Sequence, residues 1–191
     1  MPVATDEANM TRARALLIRL IEKYCIPGYR LSLLEIQKLA YFLQEAGEPM
    51  HLKFVKHSYG PYAENLNHVL QRIEGHFIRG YGDRSKGAKI HLLPQAARRA
   101  RALLASDADA ETRLERVNRL INGLENPYGM ELLGTVHWVA KDNDDIAHDD
   151  QAIITNVQNW SQRKRDRFRP EHIRKVANRL RDEGWLPRRV R

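Results

Sequence analysis

Cysteine is nearly absent. Cys25 is the only one in 191 residues, which excludes an internal disulfide framework and suits a reducing, cytoplasmic setting. Flanked by Tyr24 and Ile26, it reads as a small buried apolar residue. Nor is there an uninterrupted apolar run of about 18 residues, the length needed to span a bilayer. The opening MPVATDEANM carries Asp6 and Glu7 and has no apolar core, so it reads as a tail over residues 1–10 rather than a secretory signal. The eight histidines form no HExxH, and a second cysteine is lacking, so no metal site is expected. RGYGDRSKG, residues 79–87, lacks the Gly-Lys-Ser that completes a phosphate loop, and Ser58 lies outside any GxSxG elbow. Neither a cofactor nor a catalytic residue is expected from these patterns.

Charge is present but uneven. The net charge is +8, and residues 163–191 supply it, with twelve Lys or Arg against four Asp or Glu. Residues 131–159 hold six acids against the single Lys141. A nucleic-acid binder concentrates positive charge on the surface that meets phosphate, and here only the C-terminal segment does so. Trp160 and Phe168, interleaved with its arginines, could stack bases; the plainer reading is a solvated face.

Apolar periodicity predicts a mainly helical α+β chain, with about six to eight helices and a small antiparallel β-sheet of three strands. Leu16, Leu17, Leu20, Ile21 and Tyr24 share one helical face. The next helix carries Ile36, Leu39, Ala40 and Leu43 inward, with Ser32 and Glu35 at capping-box spacing. MHLKFVKHSYG reads as a strand ended by Gly60, after which Pro61 opens a helix carrying Leu66, Val69, Leu70 and Ile73. Gly80, Gly82 and Gly87 mark turns before the short strand KIHLL, and everything from Pro94 onward is helical. One domain over 11–187 is expected, with a helix–strand core over 11–100 and a helical part over 101–187.

LLEIQKLAYFLQEAGEP (33–49) and FVKHSYGPYAENLNHVLQRIEGHFIRGYGDRS (54–85) closely resemble the C-terminal, toxin-neutralising domain of DarG antitoxins. The QKLAYF…YGPY core is more distantly similar to the antitoxin domain called Panacea. The resemblance covers roughly residues 11 to 100. It implies a non-enzymatic antitoxin domain that binds a DarT-type toxin one to one and blocks it, by occluding the site where that DNA ADP-ribosyltransferase holds single-stranded DNA (DNA mimicry). In that family the ADP-ribosyl glycohydrolase activity belongs to an N-terminal macrodomain. Ten residues precede residue 11, so no macrodomain, and no enzyme, is expected here. The alternative is a nucleic-acid-binding module or operon autoregulator that uses the basic C-terminal segment.

Within this reading the candidate toxin contacts are His57, Tyr59, Tyr62 and Asn65 at the corner, and Arg79, Tyr81, Asp83 and Arg84 at the glycine-rich turn. Gly60 and Pro61 are expected to be structural. Tyrosines give large rigid area with a polar tip, suited to a protein-binding surface, although Tyr59 and Tyr62 could equally cap the core. Asp144, Asp145, Asp149 and Asp150 are a second candidate contact, as stand-ins for phosphate; their plain reading is a solvated, helix-capping loop.

Overall fold

The structure is a computed structural model that describes residues 8–82 and 87–187. The chain opens with two helices whose ends are fixed locally. In α1 (Arg12–Tyr24) the Thr11 side chain accepts from Arg14 N, and Leu16, Leu17, Leu20 and Ile21 are buried. In α2 (Leu33–Glu45) the capping box forms in full: Ser32 Oγ accepts from Glu35 N at 3.3 Å, and the Glu35 carboxylate accepts from Ser32 N at 2.7 Å. The same carboxylate also accepts from the hydroxyls of Tyr24 and Tyr29, each at 2.6 Å. One buried acid therefore ties the end of α1, the connecting loop and the start of α2 together.

Two short antiparallel pairs follow. β1 (Phe54–His57) and β2 (Gly60–Ala63) form a hairpin in which His57 faces Gly60, leaving Ser58 and Tyr59 as a two-residue turn. After α3 (Leu66–Ile73), β3 (Ile78–Arg79) pairs with β4 (His91–Leu92). The three-stranded sheet expected from the sequence is thus two separate two-stranded ladders, with an isolated bridge, Leu31 to Ile90, beside the second. The segment after Gly60 is also corrected: Pro61 and Tyr62 lie in a strand, not in the first turn of a helix, which begins at Leu66.

The remainder is helical: α4 (Pro94–Leu104), α5 (Ala108–Ile121), α6 (Pro127–Ala140), α7 (Asp144–Ala147), α8 (Asp150–Trp160), α9 (Gln162–Arg167) and α10 (Pro170–Asp182). Among the described residues the fold is predominantly helical α+β, with ten helices. The central element is α6, buried continuously from Gly129 to His137 and packed against α2, α8, α10 and β2. A helix apolar on nearly every side has to be enclosed by its neighbours. Gly134 permits the close approach of α2, since a Cβ there would lie 2.9 Å from Lys38 Cδ. No helix among the described residues is long and apolar enough to cross a membrane.

Candidate functional site

Helix α2 holds the β1–β2 hairpin through side chains from the QKLAYF stretch. Gln37 donates from Nε2 to Ala63 O and accepts at Oε1 from Ala63 N, both at 3.0 Å, completing the backbone pairing of β2 as a neighbouring strand would. Lys38 donates from Nζ to Pro61 O at 2.9 Å. Gly60, at φ +96°, presents its bare Cα to α2 and α6; a Cβ there would sit 3.1 Å from Thr135 Oγ1 and 3.2 Å from Lys38 Cε. Gly60 and Pro61 are therefore parts of the scaffold, and the YGPY corner has its odd composition because two helices meet its backbone.

The outer side of the hairpin meets α8 and α9 in a cationic and aromatic face. Trp160 Nε1 donates to His57 O at 3.0 Å. The Lys56 ammonium lies 4.6 Å from the Trp160 ring centre, and the Arg163 guanidinium 4.5 Å from that of Tyr59. His57 stacks on Tyr62 with ring centres 4.8 Å apart. Farther along α9, Arg167 lies over Tyr128, whose hydroxyl meets His172 Nδ1 at 2.8 Å. His57 and Lys56 are exposed, and Tyr59 is 43% exposed.

Behind this face one buried carboxylate, Glu131 on α6, organises three cations of α9. It accepts from Arg163 at 2.5 and 3.1 Å and from Lys164 at 2.8 Å, and lies 3.9 Å from Arg167. Burial alone would push the Glu131 carboxyl up, but the bonds from Arg163 and Lys164 outweigh it and hold it below the usual range. Burial pulls Lys164 down despite its bond to Glu131. Lys38 is enclosed in the same region, and burial lowers it to about 7 against the attraction of Glu131. The three cations of α9 outnumber the one carboxylate and Lys56 adds a further charge outside, so the face is net positive.

The other expected contacts are placed as follows. Asn65 clips the loop before β1, accepting from Lys53 N and donating to His51 O, each at 3.0 Å. Tyr81 is fully buried and donates to Asn67 Oδ1 at 2.9 Å; Asn67 in turn donates to the Tyr62 hydroxyl at 2.6 Å. The corner and the glycine-rich turn are therefore joined through the core. Arg79 is exposed on β3, and Asp83 and Arg84 lie outside the described residues. Asp144 and Asp145 occupy the first turn of α7. Asp149 caps α8, while Asp150 pairs with Arg181 at 2.8 Å and Arg174 at 3.6 Å. Asp150 and Trp160 are ten residues apart on α8, about 15 Å at the helical rise, so the acids stand away from the hairpin face. Among the described residues no group of three or more His, Cys, Asp or Glu could hold a metal ion.

Comparison with known proteins finds a DNA ADP-ribosyl glycohydrolase of Thermus aquaticus, 42% identical over 186 residues, which are 97% of this chain and 51% of that protein. Proteins of the same name from Mycobacterium bovis and Mycobacterium tuberculosis are each 36% identical over 157 residues, 78% of this chain and 44% of theirs. The chain spans about half the length of these relatives. No protein-family model matches it. The likeness corrects the expectations drawn from the resemblance. A C-terminal antitoxin domain without activity, a function confined to binding and inhibiting DarT, and the exclusion of an enzyme all conflict with relatives that are named for an enzyme and matched over 78–97% of the chain.

Proposed function

We propose that this chain acts in the removal of ADP-ribose from DNA, and that the cationic and aromatic face between the β1–β2 hairpin and α9 holds the modified DNA. The observation that carries the reading is the match, over 97% of the chain, to a protein named DNA ADP-ribosyl glycohydrolase. The face suits such a substrate. ADP-ribosylated DNA offers backbone phosphates and a pyrophosphate, which pair with Arg and Lys, and bases, which stack on aromatic rings and guanidinium planes. Tyr59 with Arg163, and Trp160 with Lys56, are such pairs already assembled.

The test is to incubate the chain with a DNA oligonucleotide carrying ADP-ribose and to follow free ADP-ribose chromatographically. Release in proportion to time and protein is expected, together with binding that Tyr59→Ala and Trp160→Ala each weaken by about 1–3 kcal/mol, the worth of one stacking platform. An oligonucleotide that keeps its ADP-ribose and shows no binding by fluorescence anisotropy overturns the reading.

A further inference from the structure

The second ladder carries an unusual row of side chains. Arg79 on β3 lies directly opposite His91 on β4. The Leu31–Ile90 bridge, closed by reciprocal backbone bonds of 2.9 and 2.8 Å, continues the antiparallel register so that Arg30 lies opposite His91 on its other side. Residues opposite one another in antiparallel strands project from the same face. Arg30, His91 and Arg79 therefore stand side by side across β3, β4 and the segment that bridges to Ile90. Neither Arg30 nor Arg79 has an ion pair among the described residues, and both are exposed. His91 Nδ1 is shielded from solvent without a hydrogen-bond partner among them.

Arg30 and Arg79 flank His91 on its two sides, so a charged His91 would set like charges directly across both pairs, which is destabilising. The nearby carboxylate, Glu74, is engaged by Gly80 N at 3.0 Å and Tyr81 N at 3.2 Å. Burial holds the His91 imidazole below its usual value, and Arg30 and Arg79 lower it further. Beside the row lies a cavity of about 380 Å³ walled by Cys25, Ile26, Tyr29 and Leu92 as well as Arg30, His91 and Glu22, whose carboxylate is held by Arg19 and Arg101. Ile26 at its rim is 73% exposed. Small-molecule sites combine largely apolar walls with a few convergent polar groups, at volumes of about 300–1,000 Å³.

We propose that the Arg30–His91–Arg79 row and the adjoining cavity form a binding site for a phosphate-bearing ligand of nucleotide size. The two guanidinium groups receive the phosphate, His91 donates or accepts at its edge, and Tyr29 and Ile26 cover the apolar or ring portion. The site is built on the second ladder rather than the first hairpin, and it does not depend on the function proposed for the hairpin face. Unmodified nucleotides test it, so its failure leaves that reading standing.

Isothermal titration with AMP, adenosine, and a short oligonucleotide with and without a terminal 5′-phosphate is the test. AMP is expected to bind at least about tenfold more tightly than adenosine, because paired, charge-assisted bonds to phosphate are the strong ones. Arg30→Gln and Arg79→Gln should each weaken AMP about tenfold, while Arg98→Gln, on the exposed side of α4, leaves it unchanged. NMR titration should show the His91 imidazole rising in pKa when AMP is bound. Tighter binding of the 5′-phosphorylated oligonucleotide than of AMP identifies a strand end as the ligand, and weaker binding a free nucleotide. Equal affinity for AMP and adenosine, or AMP binding indifferent to both arginine substitutions, overturns the proposal.

Discussion

At Gly60 two separate costs meet in one residue. Its φ of +96° belongs to the left-handed region, where a side chain is strained by about 1–3 kcal/mol. A Cβ there would also press on Thr135 and Lys38, adding an overpacking cost of about 1–3 kcal/mol. Gly28, at φ +84°, shares the first cost and not the second, since no atom lies within 4 Å of the place its Cβ would take. Gly60→Ala should therefore lower the midpoint of thermal unfolding clearly more than Gly28→Ala. Equal losses would show that α2 and α6 can withdraw from the hairpin without cost. The comparison isolates the close packing that makes the YGPY corner a structural device.

Among the elements, α9 is the one most dependent on a single partner. Lys164 is fully enclosed and Glu131 is 1% exposed, so removing the acid strands a buried ammonium. Glu131→Ala should cost about 3–5 kcal/mol in urea unfolding. Arg163→Ala removes a side chain that is 39% exposed and leaves Lys164 to satisfy the acid, so its cost should stay within about 1 kcal/mol. If the two variants unfold alike, α9 is not anchored through Glu131. The sequence foreshadowed this element only as a basic run punctuated by aromatics. Phe168 proved to be core, whereas Trp160 reaches His57 across 103 residues of chain, a separation that no local pattern can reveal. The same limit explains β2. Pro61 suits a helix start as well as an edge strand, and the decision lies with Gln37 and Lys38, more than twenty residues earlier. By contrast α1 and α2 were legible, because their stripes and the Ser32–Glu35 cap are local signals. The aromatic corner was legible as composition, and its meeting with α9 was not.

For the molecule as a whole, buried titrating groups set how stability responds to pH. His137, enclosed beside Trp185 and bonded to the Tyr41 hydroxyl at 2.7 Å, is lowered by burial to about 3 from 6.5. Between those values the unfolded chain binds a proton that the folded chain refuses, so stability rises with pH through that window. Lys38, lowered by burial to about 7 from 10.5, repeats the pattern at higher pH: the unfolded state is protonated there and the folded state is not. Buried tyrosines act with the opposite sign. Burial raises Tyr24 and Tyr41 far above 10.0, so above that value the unfolded phenols ionise while the folded ones do not, and stability falls. The thermal midpoint should therefore climb from about pH 4 to pH 6.5, climb again from about pH 7.5 to pH 9.5, and turn over near pH 10. Lys38→Met deletes one titrating group without emptying its site, and it should shrink the second climb to what Lys164, also lowered by burial, contributes, while leaving the first intact. A wild-type midpoint that is flat between about pH 7.5 and pH 9.5 would mean that Lys38 keeps its proton in the folded protein, held by Glu131 and Pro61 O.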